Sequence, residues 1–369
     1  MKIAINTRWL LKDRLEGIGW FTHSLVKRMV ESHPEVEFHL IFDRKPDASY
    51  KYGPNVVMHT VRPAARHPYL WSFWNHFRVP SKLRKIKPDV YFSPDGMGVK
   101  NWEGKQLLAV HDLNFEHHPE WIPRKVGEWY QKHMVQYGRA ADRIVCVSRE
   151  TLEDVSRTWG ISTSIMDVVY NAPQSNFKPL HHETPSLPIS GKYFLCVGSI
   201  NPRKNLALAV RAFSKYRLQG GDAELVLVGN HMHIDDELER VLEESPYRNK
   251  VHFVGRKHGN ELNAIMSNSI ALLFPSLFEG FGIPIVEAMA AGTPVICSNV
   301  SCMPEIAGDA AMLLSPLDAD SWTDGMVKME DESERKEWIE KGIERAKFFN
   351  WDSSAEKLWE NIEKTVSNA

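Results

Sequence analysis

Two glutamates stand eight positions apart in the segment FPSLFEGFGIPIVEAMAAGTPVICSN, on either side of a glycine-and-proline break. Glu279 follows the apolar run IALLFPS, which predicts a buried strand, and Glu287 follows Pro284, which suits the first position of a short helix. Ligands of open parallel sheets bind outside the carboxyl ends of the strands. Two carboxylates at such a place can accept hydrogen bonds from the hydroxyl groups of a sugar and of a ribose.

The residues between the glutamates favour an anion. Gly280 and Gly282 allow the backbone to approach a ligand closely, and the amides from Gly280 through Phe281 to Ile283 add to a helix dipole that attracts phosphate. The alternative is that Glu287 only complements the helix dipole and Glu279 is a solvated loop residue. The strand, glycines, proline and helix occurring together favour the ligand site.

Two cations follow another candidate strand, earlier in the chain, in VGSINPRKNL. Arg203 and Lys204 come after Gly198 and open a helical stretch, where positive charge opposes the helix dipole and therefore needs another reason. A guanidinium and an ammonium can stabilise a diphosphate leaving group without metal. The alternative is a solvated helix start. We assign Gly198, Arg203 and Lys204 to the same donor site as the glutamates.

A histidine-aspartate pair ends a strand in the first half of the chain, in LLAVHDLNFEHHPEWIP. His111 and Asp112 could be structural, as strand-end histidines often are, or could contact a substrate. Nearer the amino terminus, Gly17 and Gly19 form only part of a dinucleotide fingerprint because Thr22 occupies the third glycine position, so NAD binding is poorly supported. The two glycines remain candidates for a phosphate or acceptor loop.

Composition excludes several classes of protein. The chain has 369 residues with 45 Lys and Arg against 47 Asp and Glu, so no global field points to nucleic acid. Its four cysteines form no CxxC pair, and three of them lie in apolar runs, which favours reduced core thiols in a cytoplasmic protein. No signal peptide and no membrane-spanning run of about 18 apolar residues is predicted.

Strand-like and helical patterns alternate twice along the chain, which predicts two doubly wound, Rossmann-like α/β domains facing across a cleft. We expect an acceptor-side domain over 1–173, a proline-rich linker over 174–190 and a nucleotide-sugar domain over 191–351. The last helical segment, 352–369, should pack back on the first domain, with Asp352 or Ser353 as its cap.

The segment from Phe274 to Asn299 resembles the E-x7-E signature of the retaining GT-B glycosyltransferases of the large family four. The resemblance covers essentially the whole chain. It implies that Glu279 contacts the donor sugar, that Glu287 contacts the ribose and that Arg203 and Lys204 contact the diphosphate. His111 would position the sugar and stabilise charge, while Asp112, Gly17 and Gly19 would border the acceptor or the phosphates.

The implied reaction is transfer of a sugar from a nucleoside diphosphate to a glycan or lipid-linked saccharide. Because Glu287 is assigned to the ribose, no second carboxylate joins Glu279 as in retaining hydrolases, and a metal-independent same-face displacement is the better hypothesis. No cofactor is expected. The stretches HDLNFEHHPEW and MPEIAGDAA resemble the mannosyltransferase branch, which favours GDP-mannose over UDP-glucose and UDP-N-acetylglucosamine. Base recognition is expected near Arg256.

Other interpretations remain open: a nucleotide-sugar epimerase, a phosphorylase, or a non-catalytic nucleotide-sugar or glycan-binding module. Asp318 and Asp320 form a DxD pair, which metal-dependent transferases use, but they precede a helical segment and suit a cap. The segment 71–89 combines aromatics near its start with Lys82, Arg84, Lys85 and Lys87. It could lie against anionic lipid, making the protein peripheral, or be an ordinary surface helix with snorkelling lysines.

Overall fold

The computed structural model describes residues 1–12, 14–65, 67–180, 187–189, 191–230 and 236–367. The contacts divide the chain into two compact units, Met1–Asn171 with Asn350–Ala369, and Ala172–Phe349. The expected linker over 174–190 falls at the start of the second unit, and its residues 181–186 and 190 lie outside the described residues.

The first unit contains a parallel sheet whose described strands follow the order β3-β2-β1-β4-β5-β6-β7. The six strands predicted for this half are present, and a seventh lies at the edge. Their bounds are β1 Lys2–Asn6, β2 Glu37–Phe42, β3 Val56–Thr60, β4 Val90–Ser93, β5 Gln106–Val110, β6 Arg143–Cys146 and β7 Met166–Val168.

Helices cover both faces of this sheet, as buried parallel strands require. Those of the first unit are α1 Gly17–Ser32, α2 Pro68–Phe73, α3 Val79–Ile86, α4 Asn114–His117, α5 Arg124–Ala140 and α6 Arg149–Trp159. A π-helical turn, Trp74–Arg78, joins α2 to α3, and single 3₁₀ turns cover Ala48–Tyr50, Pro119–Trp121 and Thr163–Ile165. The largest fully buried side chains of this unit include Trp74, Tyr91 and Trp159.

The last helix of the chain returns to the first unit. It covers Trp351–Ser367 and begins one residue before the predicted cap Asp352, because Asn350 accepts a hydrogen bond from the Asp352 amide at 2.7 Å. Asn361 is fully buried and accepts from Arg143 at 3.0 Å.

The second unit repeats the architecture with a parallel sheet in the order β10-β9-β8-β11-β12-β13 among the described residues. Five of its strands match predicted runs, and the sixth is a three-residue edge strand. The bounds are β8 Tyr193–Val197, β9 Glu224–Val228, β10 Val251–Phe253, β11 Leu272–Phe274, β12 Val295–Ser298 and β13 Met312–Leu314.

The helices of the second unit pack on this sheet around a core that includes Phe213 and Trp322. In chain order they are α7 Leu206–Leu218, α8 Asp236–Glu244, α9 Gly259–Ser267, α10 Ile283–Ala290, α11 Met303–Ala307, α12 Ala319–Lys328 and α13 Glu332–Ala346, and the C-terminal helix described above is α14. Two 3₁₀ turns cover Pro202–Lys204 and Arg248–Lys250. The helix predicted near Asp235 is described from Asp236, since Asp235 lies outside the described residues.

Both sheets reverse their strand order beside the first strand of the unit, between β1 and β4 and between β8 and β11. The connections that follow these neighbouring strands run in opposite directions. The carboxyl ends of the strands therefore border a crevice suited to ligands. The expectation of two doubly wound α/β units is confirmed. These two switch points are the places where the candidate residues are expected to lie.

Candidate active-site residues at the two switch points

An ion cluster occupies the switch point of the second unit. Glu279 accepts from Lys204 Nζ at 2.5 Å through one carboxylate oxygen and from Arg203 Nη1 at 2.5 Å through the other. Arg203 also donates to the Phe278 carbonyl at 3.0 Å. Sequence reasoning had assigned Arg203 and Lys204 to the diphosphate and Glu279 to the sugar, and the geometry joins these three side chains directly.

The cluster depends on close packing of the turns around it. Gly198 has φ +145°, and a Cβ there would lie 2.9 Å from Lys204 Cε, so a side chain would displace the lysine. The turn that carries the cations ends at Asn205, whose φ is 51° and whose side chain donates to the Pro275 carbonyl at 3.2 Å. That bond connects the loop after β8 to the loop after β11.

The electrostatics of the cluster keep Glu279 ionised. Burial alone would raise its pKa, but Arg203 and Lys204 outweigh that effect and lower the pKa to about 2. Glu279 is 7% exposed and Lys204 9%. A Lys ammonium has three donors and a carboxylate oxygen uses one here, so Lys204 keeps capacity for a further acceptor. The three groups together carry one net positive charge.

Ser301 was not predicted and fixes the backbone of Glu279. Its hydroxyl donates to the Glu279 carbonyl at 2.6 Å and accepts from the Glu279 amide at 3.3 Å. Ser301 has φ 55°, which is unusual for a residue with a side chain. It follows β12 by three residues, and the only available signal was its place after the next strand of the sheet.

Glu287 is a buried carboxylic acid on α10. The helix begins at Ile283, one residue earlier than predicted, so Glu287 is its fifth residue rather than part of its first turn. Gly282 precedes the helix with φ 81°, a left-handed conformation that glycine adopts without strain. Among the described residues no side chain donates a hydrogen bond to the Glu287 carboxyl, and burial raises its pKa to about 8. The residue keeps 8% of its surface, so the carboxyl can still be reached.

The remaining donor-site candidates of the second unit differ in the groups that a ligand could contact. Gly280 and Gly282 are buried and can contribute only backbone. The Phe281 ring packs edge-on against Phe349 at 5.4 Å inside the same unit, so its side chain serves the core. Arg256 is exposed after β10.

His111 follows β5 in the first unit, and its contacts define its tautomer. Its Nε2 lies 2.7 Å from the Pro94 carbonyl, which can only accept, so the proton is on Nε2. The ring packs edge-on to Phe21 with 5.0 Å between centroids, and burial lowers the pKa of His111 despite the Pro94 bond. Nδ1 is therefore a neutral acceptor, and no described residue donates to it.

Asp112 lies just before α4, and Gly17 and Gly19 lie at the start of α1. Asp112 accepts at 3.1 Å from the amide of Asn114, the first residue of α4. Gly17 and Gly19 are the first and third residues of α1 and do not precede it. A Cβ on Gly19 would lie 2.9 Å from the Trp9 carbonyl, so close packing of α1 on the β1 loop explains that glycine.

A second ion pair, also missed from the sequence, lies at the switch point of the first unit. Arg8 Nε donates to Asp95 at 2.5 Å, with side-chain exposures of 4% and 2%. Asp95 also accepts from Asn6 at 2.9 Å and from the Trp9 indole at 3.0 Å. Arg8 and Asp95 each stand two residues beyond adjacent strands, and Asp95 adjoins the Pro94 carbonyl that fixes His111.

The DxD pair is a helix cap, as predicted. Asp318 accepts from the amides of Asp320 at 3.1 Å and Ser321 at 3.3 Å, at the start of α12. The described parts of the chain contain no group of three His, Cys, Asp or Glu side chains arranged to hold a metal ion.

Two family models match the chain in succession. Residues 15–172 match Glycosyltransferase Family 4, and residues 178–345 match Glycosyl transferases group 1. Sucrose-phosphate synthase from Thermosynechococcus elongatus superposes with a TM-score of 0.77 at 18% identity, over 100% of both chains, which establishes the fold. The chain is a glycosyltransferase of the GT-B fold and the family-four type.

Its relatives include two O-antigen chain mannosyltransferases. O-antigen chain mannosyltransferase B of Escherichia coli is 26% identical over 96% of this chain and 97% of its own length. O-antigen chain mannosyltransferase RfbU of Salmonella typhimurium is 27% identical over 75% of each chain.

Proposed function

We propose that the protein transfers a mannosyl residue from GDP-mannose to a glycan or lipid-linked saccharide, with retention at the anomeric carbon and without metal. The observation that carries this proposal is the Arg203–Lys204–Glu279 cluster at a switch point, in which Lys204 and Glu279 are buried. On the following helix lies a second carboxyl, Glu287, to which no described side chain donates. The names of the two O-antigen relatives support mannose and a glycan acceptor.

The cations suit the diphosphate of the donor. Glu279 neutralises one of the two charges, so the cluster offers net positive charge at a site where water is largely excluded, and electrostatic interactions are strong there. Negative charge grows on the diphosphate as the glycosidic bond breaks. Arg203 and Lys204 therefore stabilise the transition state more than the bound donor, while Glu279 orients both cations and accepts from a sugar hydroxyl.

Glu287 suits the ribose. In the free protein its carboxyl is protonated at neutral pH, because the pKa is about 8. Two vicinal ribose hydroxyls that donate to the same carboxylate would stabilise its charged form and lower its pKa. Nucleotide binding is thus expected to release a proton at pH 7, and the affinity is expected to increase as the pH approaches 8.

The displacement uses the leaving group as base. The bond between the anomeric carbon and the diphosphate oxygen breaks with its electron pair going to the diphosphate. The acceptor hydroxyl forms a new carbon–oxygen bond on the same face, and its proton passes to the departing diphosphate. No covalent enzyme intermediate is needed, which agrees with Glu279 being engaged by two cations and Glu287 being reserved for the ribose.

His111 supplies an acceptor for a hydroxyl of the bound sugar. Its Nε2 proton is held by the Pro94 carbonyl, so Nδ1 keeps its lone pair and can accept a hydrogen bond from a sugar hydroxyl. The Arg8–Asp95 pair braces the loop that bears Pro94. His111 is therefore a positioning group for the sugar in this proposal.

A transfer assay tests the proposal. The purified chain is incubated in EDTA with GDP-mannose, UDP-glucose or UDP-N-acetylglucosamine and a lipid-linked saccharide extract, and the product linkage is assigned by NMR. We expect mannose transfer with the α configuration of the donor retained. Consumption of donor without any acceptor would favour an epimerase, and inversion at the anomeric carbon would reject the displacement described above.

A further inference from the structure

Three large aromatic side chains are exposed along one face of a helical segment in the first unit. Tyr69 is 83% exposed, Phe73 45% and Phe77 59%, and the rings of Phe73 and Phe77 lie 5.8 Å apart. They are spaced by four residues, so they share one side of the helix formed by α2 and the π turn. We call these three residues the aromatic stripe.

The fold does not need the aromatic stripe. The opposite side of the same segment and of α3 already supplies the core, with Trp74, Val79 and Leu83 fully buried. Trp74 donates its indole N–H to the Val61 carbonyl at 2.7 Å, which fixes the segment on the unit. Neighbouring exposed aromatics on an already anchored helix therefore indicate contact with something outside the chain.

The stretch of chain that carries the stripe is basic and contains no acidic residue. Residues 48–88 contain eight Lys or Arg and no Asp or Glu, although the whole chain has a net charge of −2. Arg62, Arg78, Arg84 and Lys85 are exposed, and the Arg78 guanidinium donates to the Arg62 backbone carbonyl at 2.9 Å. A basic segment without acidic residues complements a surface of negative charge.

We propose that the aromatic stripe and the cations beside it dock the protein on the surface of an anionic phospholipid bilayer. The aromatic rings would enter the interface between headgroups and acyl chains, and the Lys and Arg side chains would contact the headgroups. Of the described helices, none is long and apolar enough to span a membrane, so this contact is peripheral. The inference does not rest on the proposed transfer reaction.

Vesicle sedimentation tests the docking in the absence of donor and acceptor. The full chain is mixed with vesicles of phosphatidylglycerol and phosphatidylcholine, or of phosphatidylcholine alone. We expect binding to the anionic vesicles only, weakened in high salt. The double variant Phe73→Ser with Phe77→Ser should bind about tenfold more weakly or worse, and Lys85→Gln about fivefold more weakly.

The matched control removes exposed apolar side chains elsewhere. Leu218 is 69% exposed and Leu317 84%, both in the second unit, and the double variant Leu218→Ser with Leu317→Ser should bind as the wild type does. Circular dichroism checks that all variants are folded, and Lys85→Gln tests the charge alone at an exposed position.

Three results of the vesicle assay would overturn the inference. They are absence of wild-type binding, equal binding to neutral vesicles, and unchanged binding of the Phe73 and Phe77 double variant. A photo-crosslinker in place of Phe77 that labels a protein and no lipid in cell membranes would also overturn it, by assigning the stripe to a protein partner.

Discussion

Replacement of Glu287 by glutamine should stabilise the protein at neutral and alkaline pH. Burial raises the pKa of Glu287 from its usual 4.5 to about 8, so the folded protein keeps a proton that the unfolded chain loses. The stability contributed by this protonated carboxyl is complete below pH 4.5 and is lost as the pH rises to about 8. Glutamine has nearly the same shape and never ionises, so the variant avoids this loss.

The magnitude follows from the width of that window. Each pH unit between the two pKa values costs about 1.4 kcal/mol of unfolding free energy. The difference between variant and wild type should therefore be about 3 kcal/mol at pH 7 and about 4 kcal/mol at pH 8, relative to the difference measured below pH 4.5. An effect of that size is a large part of the stability of an ordinary domain.

Urea denaturation followed by circular dichroism measures this difference in matched buffers from about pH 4.5 to about pH 8.5. The control is Glu243→Gln, which replaces an exposed glutamate on α8 of the same unit. We expect the Glu287→Gln curve to diverge steadily from the wild type with rising pH and the control to stay parallel to it. A constant difference across the range would refute the inference that Glu287 is a buried, unpartnered acid.

Three further predictions concern the same sites. Arg203→Ala or Lys204→Ala should lower kcat by roughly 10²–10³ while donor affinity changes less, and equal losses of both would count against a transition-state role. Because burial lowers the pKa of His111 below 6.5, the acid limb of the kcat profile, measured at saturating donor where Glu287 is already ionised, should lie below that pH and disappear in His111→Asn; a limb of kcat above pH 6.5 that persists in the variant would contradict the assigned tautomer. Asp318→Ala should cost about 1 kcal/mol of stability through the lost cap, with turnover unchanged in EDTA; a metal-dependent loss of turnover would instead make the DxD pair functional.

Continuous apolar runs in the sequence made most strands of the two sheets predictable. Parallel strands buried on both faces gave continuous apolar runs such as KIAIN and YFLCV, which need no context to recognise. The edge strands Met166–Val168 and Met312–Leu314 have three residues each and were not predicted, although the equally short β10 and β11 were. Their pairing with β6 and β12 comes from the neighbouring strands and not from their own sequence.

The site was predictable in its residue types but not in its contacts. Arg203, Lys204, Glu279 and Glu287 were found because strand ends, glycines and a proline mark a switch point in the sequence. The mutual pairing of Glu279 with both cations, and the Ser301 clamp on its backbone, depend on where separate loops meet in space. Gly17 and Gly19 were expected in a loop between a strand and a helix, whereas they are the first and third residues of α1.

The Arg8 and Asp95 pair shows a signal that could have been used. Both residues follow strands that the sequence identified, and strands β1 and β4 are neighbours at a reversal of strand order. Opposite charges at such positions favour an ion pair, but the pair can be predicted only when the order of the strands is known. Sequence alone gave the strands without their order.

The most direct test of the account is thermal stabilisation of the chain by GDP and GDP-mannose in EDTA, measured for the wild type and for Glu287→Ala. The account predicts that both ligands raise the melting temperature of the wild type and that the variant loses this shift while remaining folded. No shift in folded wild-type protein, or an equal shift in the variant, would contradict the assignment of this switch point to a nucleotide sugar.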